Sequence, residues 1–305
     1  ATNKDIILFC GYHGWHDWYL SSNLSDDSAL DGQLLPGLSP LGVPRGLNNT
    51  AIPFEYNNIK SLIDLIDKYK NKIAGIIMEP TRNIGPIEGF LENVRDLATS
   101  NEIILIFDEV TSGFRMCAGG IHKIYGVNPD IAVFAKAIAN GFPMAAIIGT
   151  SEAMSAAQDT FISSTFWSEK LGPVAAIKTI QKCVENDVYS HIIKIGEQIQ
   201  DLWKFYSDEY DLPINVTGIP PLSLFSFTGD NALEKHTLFT QEMLNYGFLA
   251  SNSFYVLWKH NEDIINKYSL ALERVFEKIS LANKANNINN LLRGPVKHGT
   301  FKRLT

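Results

Sequence analysis

The sequence predicts an α/β protein, with a mostly parallel, doubly wound sheet in its first half and a smaller α+β region after it. Two observations carry this. Short continuous apolar runs recur at Ile6–Cys10, Ile73–Met78, 103–107, Ile131–Phe134 and 145–148. They do not alternate with polar residues, as expected of strands covered on both faces. Helical stripes lie between several of them, the strand–helix–strand order of a parallel sheet with its site at the carboxyl ends of the strands.

The elements follow in order. The first run opens almost at the first residue with no cap or helix before it, so the chain is expected to begin inside a domain. Residues 21–52 are rich in Gly, Pro, Ser and Asn and read as a long loop; such loops within a domain are usually functional. Ile59, Leu62, Ile63 and Ile66 share one face of a helix ahead of the second run. Residues 91–100 form another helix ahead of the third. Past residue 170 the pattern changes. Ala176, Ile177, Ile180, Cys183 and Val184 make a helical stripe able to link two domains. Then come a strand at Leu222–Phe227, a helix at 233–246 and a strand at 248–257. A helix follows with Ile264, Ile265, Tyr268, Leu272, Val275, Phe276 and Ile279 at helical spacing. The tail, 294–305, is basic and reads as loop. The expected division is a large domain over 1–172, then a linking helix, small C-terminal domain and tail over 173–305.

Composition excludes several classes. The chain has 305 residues, 45% apolar and 19% charged, the make-up of a globular protein with a full core. A net charge of −7 argues against nucleic acid or an anionic membrane as partner. Cys10, Cys117 and Cys183 are widely spaced and odd in number, which points to a reducing compartment, the cytoplasm, without a disulfide framework. No apolar stretch approaches the length of a membrane span.

The chemistry concentrates in two segments. Asp108 closes the run 103–107 and is followed by Glu109-Val110-Thr111-Ser112-Gly113-Phe114-Arg115. Lys136 comes 28 residues later, within Val133-Phe134-Ala135-Lys136-Ala137-Ile138-Ala139-Asn140-Gly141-Phe142-Pro143. Alone, Asp108 reads equally as a capping or solvated acid. As the metal-binding acid of a nucleotide hydrolase it would need a G-x-x-x-x-G-K-[ST] loop, and none occurs. Alone, Lys136 reads as a lysine snorkelling from a strand end. Its apolar neighbours predict desolvation, which favours the free amine that forms an imine. Together, a carboxylate and an amine at the tips of short strands are what pyridoxal phosphate chemistry requires. One pins the ring nitrogen as a cation; the other holds the aldehyde as an imine.

Phe107 to Arg115 and Ala135 to Ala146 together resemble the class III aminotransferases, among the fold-type-I pyridoxal phosphate enzymes. The nearest subgroup is that of glutamate-1-semialdehyde 2,1-aminomutase and its relatives in bacterial surface-polysaccharide pathways. Gly11-Tyr12-His13-Gly14, Met78-Glu79-Pro80 and Ser164-Thr165-Phe166-Trp167 match further. The resemblance implies that Lys136 holds the cofactor and shuttles a proton, and that Asp108 pairs with the ring nitrogen. It implies that Tyr12 stacks on one ring face and Val110 packs the other, with Glu79 beside the cofactor. A plain Glu-Pro turn explains Glu79 equally well. Thr165 is implied to hold the phosphate of a neighbouring subunit's cofactor in a homodimer with shared sites.

His13 and His16 have H-x-x-H spacing beside Asp17, but no further ligand cluster accompanies them. The expectation is no metal, and an aromatic wall over the cofactor formed by His13 with Trp15 and Trp18. Arg45, Arg82, Arg115 and Arg303 are candidates to clamp a substrate carboxylate. The family's Ser-Gly-Ser/Thr-Glu-Ala phosphate turn has no counterpart in the sequence, so the expectation is either a fragment of a longer protein or a phosphate held otherwise. The expected function is amino transfer between an amino donor and a carbonyl acceptor. Intramolecular aminomutase action, or a catalytically silent homologue, remain open as alternatives.

Overall fold

The computed structural model describes residues 1–33, 36–81, 83–166 and 168–299. They divide into two compact units, 1–186 and 187–299.

In the first unit the order is β1 (Ile6–Cys10), α1 (Asp17–Leu20), β2 (Ala51–Pro53), α2 (Ile59–Lys68), β3 (Ile73–Met78), α3 (Phe90–Ser100), β4 (Ile104–Asp108), α4 (His122–Tyr125), β5 (Ile131–Phe134), β6 (Ala146–Gly149), α5 (Ser151–Ser155) and α6 (Leu171–Glu185). The strands form one sheet in the order β2-β1-β3-β4-β5-β6. All neighbouring pairs are parallel except β5–β6. The sequence thus predicts the mostly parallel α/β architecture correctly. The Asn58 side chain caps α2 by accepting from the Ser61 N–H. Leu62 and Ile66 of α2 pack with Phe90, Leu91, Val94 and Ala98 of α3 against Leu8, Cys10, Ile76, Met78, Leu105 and Phe107. Phe9 packs with Tyr19, Leu30, Leu38 and Ala51 in a second cluster.

Three expectations are corrected. The run 145–148 was expected to be covered on both faces, yet Ile147 is 59% and Ile148 57% exposed in β6, the antiparallel strand at the sheet edge. An apolar run signals low polarity but not which neighbours cover it. Residues 21–52 are not bare loop. Ser22 and Asn23 are buried; Asn23 donates to the Leu38 carbonyl and accepts from the Leu30 N–H, and β2 begins at Ala51. Buried backbone needs such partners. Lastly, the strand expected over 248–257 is confined to Ser253–Tyr255.

The second unit runs α7 (Val188–Glu209), β7 (Ile214–Thr217), β8 (Leu222–Phe227), α8 (Ala232–Asn245), β9 (Ser253–Tyr255), α9 (Glu262–Lys284) and α10 (Ile288–Leu291). Its antiparallel sheet has the order β7-β8-β9. Ile192, Ile195, Ile199, Trp203 and Tyr206 put one face of α7 into a core with Phe225, Phe239, Leu272 and Phe276. No expectation had covered α7 or β7. The tail is followed to Gly299 and lies on α8: the Lys297 N–H donates to Thr237 Oγ1 at 3.0 Å. No described helix is long and apolar enough to cross a membrane.

Candidate active site

Four adjacent strands end together. Beyond β1 come Gly11, Tyr12 and His13; beyond β3, Glu79; β4 ends on Asp108; beyond β5 lies Lys136. Asp108 pairs in register with Val133, three residues before Lys136. The sheet therefore brings the carboxylate and the amine to neighbouring strand ends, on the edge where a doubly wound sheet binds ligands.

His13 is buried, and its Nδ1 lies 2.8 Å from Asp108 Oδ2. Its Nε2 lies 3.1 Å from the Cys10 carbonyl oxygen. Both neighbours are acceptors, because a carbonyl and an ionised carboxylate have only lone pairs to offer. The ring therefore bridges Asp108 and the Cys10 carbonyl, and with a proton on Nδ1 it donates to the carboxylate. The Val110 N–H donates to Asp108 Oδ1 at 3.0 Å. Each carboxylate oxygen carries two lone pairs, so Asp108 keeps acceptor capacity for another donor. His16 is exposed and tilts over Trp18 at 5.1 Å, whereas the His13 ring turns inward. The H-x-x-H pair thus splits between a buried and an exposed position.

Glu79 is buried, and its Oε2 accepts from the Tyr12 N–H at 3.3 Å. Gly11 precedes it at φ +107°, and a Cβ there would meet Glu79 Oε2 at 2.7 Å. Only glycine suits both that conformation and that closeness. The Tyr12 ring packs on Trp15 at 5.0 Å and edge-on to Tyr19 at 5.7 Å. Trp18 packs instead against Phe9 and Tyr19. Burial, reinforced by the Glu79 charge, pushes the Cys10 thiol up to about 12, so this cysteine stays an inert thiol at neutral pH.

Lys136 opens a 3₁₀ turn, Lys136–Ile138, with φ +47°, a left-handed conformation uncommon for a residue with a Cβ. Its Nζ donates to Thr111 Oγ1 at 3.0 Å. Lys136 is exposed, which corrects the expected desolvation: its apolar sequence neighbours Phe134 and Ile138 turn into a cluster with Ala132, Ala139 and Ala176 while Lys136 points outward.

The sequence reading passed over Glu109. It is wholly buried, its Oε1 accepting from the N–H and Nδ1 of His122 at 3.0 and 2.8 Å and its Oε2 from Ser112 Oγ at 2.6 Å. Its own N–H donates to the Val133 carbonyl at 2.8 Å, tying the segment after Asp108 to β5. The available signal was strand alternation, which sends Asp108 and Glu109 to opposite faces.

Thr165 lies exposed in the turn 165–166, and among the described residues no hydrogen bond links it to Asp108 or Lys136. Arg115 Nε donates to the Thr111 carbonyl at 2.8 Å, and Arg45 is exposed. Arg82, Trp167 and Arg303 lie outside the described residues.

The chemistry of this set fits a heteroaromatic aldehyde: an amine for the aldehyde, a carboxylate backed by His13 for a ring nitrogen, and the Tyr12 ring for an aromatic face. Comparison with known proteins agrees. The chain is 36% identical over 243 residues to 3-aminobutyryl-CoA aminotransferase of Cloacimonas acidaminovorans, covering 76% of this chain and 53% of that protein. It is 30% identical to glutamate-1-semialdehyde 2,1-aminomutase of Methanocaldococcus jannaschii, covering 90% and 68%. The chain therefore spans about half the first relative and about two thirds of the second. The fold is shared with the FumI protein of Sphingopyxis sp. MTA144 at a TM-score of 0.80 and 21% identity, over 93% of this chain and 67% of that one. An omega-transaminase from Sphaerobacter thermophilus aligns at a TM-score of 0.78 and 20% identity, over 91% and 69%. The family model for class-III aminotransferases matches residues 2–253, and the chain belongs to that family.

Proposed function

We propose that this protein transfers an amino group between an amino donor and a carbonyl acceptor using pyridoxal phosphate. The observation that carries this reading is the placement of Asp108, backed by His13, and Lys136 on neighbouring strand ends. When bound, pyridoxal phosphate supplies an electron sink that lets a bond to the amino-bearing carbon break heterolytically. Lys136 would hold it through Nζ and, once released, carries a proton at Nζ to and from the reacting carbons. Asp108 would hold the ring nitrogen and stabilise a proton there; His13, at 2.8 Å, keeps the carboxylate oriented. Tyr12 and Val110 would pack against the two ring faces. Glu79 holds the Tyr12 backbone by accepting from its N–H. Thr165 would bind the phosphate of a second copy's cofactor, and the active form would then be a homodimer. Residues 1–172 form the cofactor-binding part of this reading and 173–305 the linking helix, small domain and tail. Its three free thiols suit a reducing cytoplasm.

Incubation with pyridoxal phosphate should give an imine absorbance band that borohydride fixes on Lys136. A Lys136→Ala protein with normal turnover sinks the mechanism. A protein that takes up no cofactor at all is the silent homologue instead.

A second reading, intramolecular transfer within glutamate-1-semialdehyde, is favoured by curated aminomutases 29–32% identical over about nine tenths of this chain. The same residues serve both reactions. Product analysis with glutamate-1-semialdehyde as sole substrate separates them: 5-aminolevulinate without a second acceptor selects the aminomutase.

A further inference from the structure

Thr111 has no role in the reading above, yet its hydroxyl accepts from Lys136 Nζ at 3.0 Å. Both partners are anchored independently of that contact. On the lysine side, the backbone sits at φ +47°, a conformation that persists only where its surroundings impose it. The imposing contacts are visible: the Ile138 N–H donates to the Ala135 carbonyl at 3.2 Å, and Ile138 and Ala139 are buried beside Phe134 and Ala176. On the threonine side, the carbonyl of Thr111 accepts from Arg115 Nε at 2.8 Å. Its neighbour Ser112 is held by the buried Glu109 at 2.6 Å. Glu109 in turn reaches the Val133 carbonyl at 2.8 Å, on the strand that leads to Lys136. The hydroxyl and the amine are thus fixed to the same pair of strand ends.

We propose that Thr111 is a positioning residue for the Lys136 amine, accepting a hydrogen bond that aims Nζ and strengthens its hold on a proton. This deepens the reading of Lys136 as the cofactor-bearing residue and rests on it for any consequence in turnover. The physical reason is that a hydrogen bond from an ammonium is stronger than one from a neutral amine. An acceptor held at Nζ therefore favours the protonated form. A lysine that lost this acceptor would give up its proton more readily.

The test is the pH profile of acetylation at Lys136 in the 305-residue protein without added cofactor. It is read by mass spectrometry of the Lys136 peptide, with exposed Lys60 as internal reference. Thr111→Val keeps the shape and removes the hydroxyl; Thr111→Ala removes it with less risk of crowding; Thr111→Ser retains it. The valine and alanine variants should shift the Lys136 profile by about 0.5 pH unit to lower pH, roughly threefold faster labelling below the midpoint. The serine variant should match the wild type, and Lys60 should not move in any of them. Valine and alanine profiles that overlay the wild type overturn the proposal. So does a serine profile that shifts with the other two, since packing would then be responsible. Borohydride trapping on wild-type protein is scored separately: if no cofactor attaches while the labelling shift is present, the cofactor reading fails and the Thr111–Lys136 contact stands.

Discussion

His13 and Asp108 meet at 2.8 Å between Nδ1 and Oδ2, although 95 residues separate them in the chain. The contact joins the turn after β1 to the end of β4, across β3. It gives Asp108 a buried, directional partner, and the Cys10 carbonyl at 3.1 Å fixes the orientation of the ring.

His13→Phe should preserve the fold, because the site is already lined by Phe9 and Tyr19 edges at 6.2 and 6.3 Å. It removes a donor from Asp108, so pyridoxal phosphate should bind about tenfold more weakly, the equivalent of one hydrogen bond. Asp108→Ala should lower turnover on the order of 100-fold or more. Absorbance titration and steady-state rates check both. Unchanged cofactor affinity in the phenylalanine variant would show that the histidine does not act through Asp108.

Glu109→Ala leaves the His122 N–H, His122 Nδ1 and the Ser112 hydroxyl without their acceptor in a wholly buried place. The expected loss is about 3 kcal/mol, the scale for stranding buried polar groups. Glu109→Gln keeps one oxygen and should lose less. Urea denaturation orders the two, and equal losses would contradict the role given to the second oxygen.

Gly196 lies in α7 where an added Cβ would overlap the Pro220 carbonyl. The helix cannot keep its place against that backbone with any side chain there. Gly196→Ala should destabilise the 187–299 unit by about 3 kcal/mol or more. Trp203 is buried against Phe225 at 4.8 Å and makes a fluorescence reporter for that unit's denaturation. A transition unmoved by the alanine would be inconsistent with the close approach.

His236 is buried among Phe225, Phe227 and Phe239, and its Nε2 finds no hydrogen-bond partner among the described residues. Burial, with the positive charge of Lys297 adding to it, pushes this imidazole down to about 4. The unfolded chain binds the proton nearer 6.5, so unfolding takes up a proton between those values. Stability is then full above about pH 6.5 and falls as pH drops toward 4. The total loss is roughly 3 kcal/mol from this residue. His236→Phe should flatten that part of the pH–stability curve. A curve of unchanged slope between pH 6.5 and 4 would assign the acid sensitivity elsewhere.

Much of the large sheet was legible. β1, β3 and β5 coincide with the apolar runs of the sequence, because a strand with both neighbours in place leaves its composition as its signature. The Asp108–Lys136 pair was legible for a similar reason: two strand-ending segments with unusual residues at their tips. α7 was overlooked although Ile192, Ile195, Ile199, Trp203 and Tyr206 recur at helical spacing, a signal of the ordinary kind. The reading of Lys136 as desolvated failed because sequence neighbours are not spatial neighbours. In a left-handed turn the flanking Phe134 and Ile138 go inward and the lysine does not.

The sequence by itself determined the α/β class and the family and singled out Asp108 and Lys136 as the proposed acid and amine, since these rest on local patterns of polarity and residue type. Only the tertiary structure decided that His13 turns inward to Asp108 and that Glu109 rather than Asp108 is sealed in the interior. It also decided that Thr111 meets Lys136. Each of these depends on which strands lie side by side and what covers each face, and that is set by contacts between residues far apart in the chain.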